Sequence, residues 1–191
     1  MKAFLPALTI AGLLGLASIA AHASDGSVTV NGTVATNTCS INGTAAGTPF
    51  SKTVTLPTIP VTAVVSSGNY NAGMSAATDL QIVLTNCAGP ATKVIASFNN
   101  DDGAVDQNTN AWNNLATTGA AQNIEVGLFN SQFKRVVPGL TGFNTMANNG
   151  VTITNGNATL QYYAQYMGTP AYGAAQPGTV LAKMTYQLVY Q

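Results

Sequence analysis

The stretch PGTVLAKMTYQLVYQ, residues 177–191, decides how this sequence is read. Val180, Ala182, Met184, Tyr186, Leu188 and Tyr190 alternate with Leu181, Lys183, Thr185, Gln187 and Val189. Side chains two apart on an extended chain point to the same face. A run of this kind therefore predicts a β-strand over 180–190, with the even residues on an apolar core and the odd ones turned away.

The same period recurs upstream. Val28, Val30 and Val34 share a parity, as do Val54 and Leu56, and Leu80, Ile82 and Leu84. Further sets are Val94, Ala96 and Phe98; Ile124, Val126 and Leu128; Val151 and Ile153; and Leu160, Tyr162, Ala164 and Tyr166. Clusters of Gly, Asn, Pro and Ser separate them, so about eight short strands are expected. No helical stripe competes, and NTNAWNNLATTGAAQ around Trp112 reads as turn and loop chemistry. The Asn- and Asp-rich stretch 99–114 reads as an exposed loop. Many short strands with polar turns predict an all-β antiparallel sandwich or barrel.

The first 23 residues, MKAFLPALTIAGLLGLASIAAHA, have a Lys, an apolar run and a closing Ala-His-Ala. That is the pattern of a secretory signal peptide, with cleavage expected after Ala23. A transmembrane helix is the alternative, because the run from Phe4 to Ala21 carries no charge. Cleavage leaves a chain of single-domain size that is exported. Five basic side chains (Lys52, Lys93, Lys134, Arg135, Lys183) then face six acidic ones (Asp25, Asp79, Asp101, Asp102, Asp106, Glu125), 5 − 6 = −1. No basic stripe results, so no nucleic-acid partner is expected. Low charge is poor protection against self-association but suits a protein that packs against copies of itself.

In an exported chain, two cysteines read as one disulfide, Cys39–Cys87, and two buried free thiols are the alternative. Its loop would stabilise the fold by roughly 4 kcal/mol.

Catalytic chemistry finds little to work with. The one His lies in the signal segment, and hydrolysis needs a nucleophile with a base or paired carboxylates. Asp101, Asp102 and Asp106 lack the spacing of a calcium loop, so a solvated loop is expected, with no metal and no cofactor. The Asn-x-Thr triplets at 31, 42 and 157 are expected by chance in so Asn- and Thr-rich a chain. Tyr162 and Tyr166 share the parity of Leu160 and are expected in the core, not on a sugar-binding platform.

Three features together resemble a family. They are the alternating arm DGSVTVNGTVATNTC ending at Cys39, the strand DLQIVLTNC ending at Cys87, and the closing GTVLAKMTYQLVYQ. Tyr190 is the penultimate residue, and Gly178 stands fourteenth from the end. The whole mature chain resembles a chaperone–usher pilin, close to the major shaft subunit of type 1 fimbriae.

The resemblance implies an incomplete immunoglobulin-like sandwich, finished by a strand from another molecule. Residues 1–23 would be the signal peptide, 24–36 a donor-strand arm and 37–191 the pilin domain. Ser24, Gly26, Val28, Val30 and Gly32 share a parity and would enter a neighbour's groove. Gly178, Val180, Met184, Tyr186, Leu188 and Tyr190 would form the acceptor groove and the surface that a chaperone recognises. The expected partners are other pilin subunits, a periplasmic chaperone and an outer-membrane usher. The expected role is a structural subunit of a surface fimbria that supports adhesion, not an enzyme. A minor adaptor pilin of the fimbrial tip, or a carbohydrate-binding adhesin, is the alternative. The arm could instead be an ordinary first strand of its own chain.

Overall fold

A computed structural model describes residues 38–66, 77–101, 103–169 and 173–191. The expected signal peptide and arm, with Ser24, Gly26, Val28, Val30 and Gly32, lie outside the described residues, as does Asp102.

Eleven strands form among the described residues. They are β1 Thr38–Ile41, β2 Val65–Ser66, β3 Thr78–Ala88, β4 Lys93–Phe98, β5 Val105–Asp106 and β6 Ala111–Asn113. They continue with β7 Ile124–Asn130, β8 Arg135–Val136, β9 Val151–Thr152, β10 Ala158–Gly168 and β11 Tyr186–Tyr190. The larger sheet runs β1-β3-β10-β7-β6-β5, with β2 against β10 and β8 against β7. The smaller sheet runs β11-β4-β9. Every pairing is antiparallel except β10 with β2.

The expected period-two pattern explains the core. In β3, Ile82 and Leu84 are buried while Asp79, Gln81 and Asn86 are exposed. Leu160, Tyr162 and Ala164 of β10 meet Val94, Ala96 and Phe98 of β4 in one apolar cluster between the sheets. Phe98 of the smaller sheet stands edge-on to Trp112 and Tyr162 of the larger one, with ring centroids 6.0 and 5.0 Å apart. Such pairs add about 0.5–1.5 kcal/mol beyond the area they bury. The all-β antiparallel sandwich is thus what the chain forms.

Cys39 and Cys87 are bonded, tying β1 to β3 across a sequence separation of 48. Thr38 pairs with Ala88 beside them and the register shifts between Thr38 and Ser40, so the bridge lies at an irregularity of this ladder.

Four expectations need correction. Residues 51–60, including Val54 and Leu56, form no strand, because Pro57 and Pro60 offer no N–H to a ladder. Their alternation survives as burial: Val54 and Leu56 are half-buried, and Thr53 and Thr55 are exposed. The stretch 99–114 is not a plain loop. It holds the β5–β6 hairpin, in which Asp106 Oδ1 accepts from the backbone of Asn108 at 2.7 Å and Thr109 at 3.2 Å. Trp112 on β6 is buried to 1% exposure. Tyr166 is only half-buried, because the burial of Ala164 and Gln165 on successive positions breaks the parity of β10. Finally, the closing strand covers 186–190 and not 180–190.

Candidate functional site: the outer edge of the smaller sheet

The shortening of the last strand has a physical cause. Its neighbour β4 ends at Phe98, and the chain then turns, with Ala104 N donating to Asp101 O at 3.0 Å. Residues before Tyr186 therefore have no β4 residue opposite them. They stay extended and are held by other parts of the chain.

The register defines two sides of the 179–191 segment. Lys93 and Gln191 exchange both backbone hydrogen bonds, each 3.0 Å, and Leu188 stands opposite Ala96. In an antiparallel pair, bonded and non-bonded positions alternate. The odd residues Gln187, Val189 and Gln191 therefore turn their backbone groups toward β4. The same parity continues upstream on new partners. Thr185 O accepts from Asn99 N at 2.9 Å. Leu181 O accepts from Leu115 N at 2.7 Å, and Leu181 N donates to the side chain of Asn114 at 3.0 Å. Thr179 N donates to Gly119 O at 2.7 Å, and Thr179 O accepts from Ala121 N at 2.9 Å.

The even residues face the other way. Among the described residues, β11 pairs with β4 alone, and no backbone partner meets the N–H and C=O groups of Val180, Ala182, Met184, Tyr186, Leu188 or Tyr190. Their side chains are half-buried and pack on the core between the sheets. The odd neighbours Leu181, Lys183, Thr185 and Gln187 are exposed. Six successive even positions thus combine an apolar floor with a backbone edge that is unpaired among the described residues.

Ile41 and Leu56 pack against the same core cluster. The Tyr186 hydroxyl reaches the Phe50 carbonyl at 3.5 Å, joining the irregular 50–56 segment to β11. Partial burial raises the hydroxyl pKa of Tyr186 and Tyr190, so both stay neutral donors. The arrangement can bind an extended apolar chain, which would pair with the edge and lay alternate side chains on the floor.

Of the expected acceptor residues, Val180, Met184, Tyr186, Leu188 and Tyr190 come together along this edge. Gly178 does not line it. A Cβ there would meet Ala121 N at 2.3 Å and Gly119 O at 2.5 Å, so Gly178 serves the close approach of two backbones. Ile41 packs on the same core cluster without having been singled out in the sequence, since one apolar residue between polar ones carries no period. Among the described residues, no group of three or more His, Cys, Asp or Glu side chains is placed to hold a metal ion.

No protein-family model matches the chain. It is 33% identical over 181 residues to the major fimbrial subunit SMF-1 of Stenotrophomonas maltophilia (strain K279a), covering 93% of this chain and 99% of that one. It is 32% identical over 188 residues to the F17 fimbrial protein of Escherichia coli, covering 95% and 97%. The crystal structure of the P pilus rod subunit PapA aligns with 86% of this chain and 100% of its own, at 22% identity and a TM-score of 0.39, too low for its geometry to be transferred. The likeness to SMF-1 and F17 runs end to end at above 30% identity, and the chain belongs with them to the fimbrial subunits, the pilins that build surface fimbriae.

Proposed function

We propose that copies of this pilin join head to tail by strand donation. Residues 24–36 of one copy add to the 179–191 edge of the next, with Gly26, Val28 and Val30 turned to its floor. The observation that supports this is the six-residue parity along 180–190, where an apolar floor coincides with an edge that is unpaired among the described residues. An exposed edge with an apolar face is an aggregation hazard that proteins normally blunt. Here it is the means of assembly. Pilins completed by a donated strand are an established case of strand addition to a sheet edge.

The energetics favour a long-lived joint. Val28 and Val30 would each contribute about 1.5–3 kcal/mol if fully buried. Each added ladder hydrogen bond gives about 0.5–1.5 kcal/mol net. A head-to-tail contact does not close on itself, so it yields an open fibre.

Before assembly the same edge must be covered. A periplasmic chaperone lending a strand, and an outer-membrane usher where the arm replaces it, complete the reading. Residues 1–23 would direct export and be removed, and 37–191 would form the pilin domain.

Gel migration of unboiled surface extracts tests the proposal. The full chain gives a ladder of denaturant-resistant multimers that collapses on boiling, and a chain lacking Ser24 to Gly32 gives none. An undiminished ladder from the deletion variant contradicts strand donation.

A further inference from the structure

The edge extends well beyond β11, and one side chain stands where its strand neighbour would otherwise be. Asn114 uses both ends of its amide on the chain around Thr179–Leu181. Its Nδ2 donates to Thr179 O and Ala121 O, both at 2.9 Å. Its Oδ1 accepts from Leu181 N at 3.0 Å and from Ala116 N at 3.1 Å. Of these, Thr179 O and Leu181 N are groups that a β4 residue would satisfy had β4 continued past Phe98. Downstream, Thr185 is held by Asn99, whose Nδ2 donates to its Oγ1 at 2.8 Å, and its hydroxyl donates to Asp101. Among the described residues, Ala182, Lys183 and Met184 make no backbone bond to the rest of the chain, so this half is held in line at Thr179–Leu181 and at Thr185, with the Asn114 and Asn99 side chains adding to the backbone bonds there.

We infer that Asn114 is a positioning residue of the acceptor edge, setting how long a strand the groove accepts. The inference rests on the strand-donation reading above. By replacing a strand neighbour with its amide, Asn114 carries the edge from the five residues of β11 to the whole of Thr179–Gln191. That span is 191 − 179 + 1 = 13 residues, equal to 36 − 24 + 1 = 13 for the expected arm. Without Asn114, Leu181 N loses its partner and Thr179 O one of its two donors, so Val180 and Ala182 are held over the core only by the remaining backbone bonds to Gly119, Ala121 and Leu115. The groove then binds only the part of the arm that lies on β11.

The test uses the full chain with Val28→Asp and Val30→Asp, so that its own arm does not compete. The chain is refolded at high dilution with a synthetic peptide of residues 24–36, or with peptides trimmed to 24–32 and 28–36. Asn114→Ala should weaken the 13-residue peptide and one trimmed peptide by about tenfold, the ratio that about 1.4 kcal/mol sets. The other trimmed peptide, which lies on β11, should bind as before. Gly178→Ala, which pushes the same segment off the 119–121 loop without touching Asn114, should give the same split. Equal weakening of both trimmed peptides makes Asn114 a general stabiliser and overturns the inference, as does no weakening at all. Failure of the unsubstituted groove to bind any of the peptides overturns strand donation itself, and the inference with it.

Discussion

Asn144 closes the far edge of the smaller sheet by giving its side-chain amide to the carbonyl of Ala96 at 3.0 Å. Asn144 has no exposed surface, and it also donates to Gly139 O at 3.3 Å and accepts from Asn149 at 3.0 Å. Gly139 N in turn donates to Phe98 O at 2.7 Å. On this side of β4 the ladder with β9 reaches only Lys93 and Val94, and the 139–149 loop satisfies what lies beyond. One edge of the sheet is thus finished by the chain's own polar groups, whereas the β11 edge has no strand partner among the described residues. The contrast between the two edges supports the proposal that the β11 edge accepts a strand.

That closure makes a quantitative prediction. Asn144→Ala leaves the buried Ala96 carbonyl with only the Tyr162 hydroxyl, 3.5 Å away. A buried group left without a good partner costs about 1–3 kcal/mol, and the variant also loses the bonds to Gly139 and Asn149. We expect a loss of about 2–3 kcal/mol in urea unfolding. Tyr162→Phe should cost under about 1 kcal/mol, because its hydroxyl contacts, 3.3 Å from Asn149 and 3.5 Å from Ala96, are at the limit of bonding. A larger loss for Tyr162→Phe than for Asn144→Ala contradicts this ranking.

The pH dependence of stability should carry the mark of Glu125. This side chain on β7 is 4% exposed, and burial raises its pKa from 4.5 to about 7. The nearby Asp106 pushes the same way, while the Thr109 hydroxyl, donating at 2.8 Å, and Arg135 oppose it. The folded chain therefore keeps the Glu125 proton up to about pH 7, and the unfolded chain gives it up near pH 4.5. The contribution of this group is fullest below pH 4.5, declines as pH rises from there to about 7, and is flat above. The decline is on the order of 3 kcal/mol. Glu125→Gln keeps an acceptor for Thr109 and should remove that slope, raising stability at neutral pH. Urea midpoints between pH 4.5 and 8 check it, and an unchanged slope in the variant contradicts the assignment.

The Cys39–Cys87 bond restrains the unfolded chain across a separation of 48. Replacing both residues by Ser should lower stability by about 4 kcal/mol, and a reducing agent should do the same to the natural chain. Unfolding of the Ser double variant, and of the natural chain with and without dithiothreitol, checks both. A variant as stable as the natural chain contradicts the role given to the bond.

Much of this was legible in the sequence, for a definite reason. A strand with one face on the core writes its orientation as period two, so Ile82 and Leu84, Val94 to Phe98, and Val180 to Tyr190 show their buried faces directly. The period survives even at Val54 and Leu56, and at Val180 to Met184, where no ladder forms, because it records burial and not hydrogen bonding. That is why the apolar floor along 180–190 could be read while the extent of β11 could not. The length of β11 depends on where β4 ends, a property of a distant segment. Trp112 was hidden because its strand is three residues long and is set by an Asx turn at Asp106, too short for any period. Asn114 and Asn144 were hidden because an amide that stands in for a strand leaves no pattern among its neighbours.

The central claim is that one surface donates and a separate edge accepts. Complementary defects test it most directly. Val28→Asp with Val30→Asp should abolish donation and leave the β11 edge intact. Leu188→Asp, which places a charge on the half-buried floor, should abolish acceptance and leave the arm intact. Each variant alone should give no multimers in unboiled extracts, and the two expressed together should give a dimer that goes no further. A full ladder from either variant alone, or no dimer from the pair, contradicts the account.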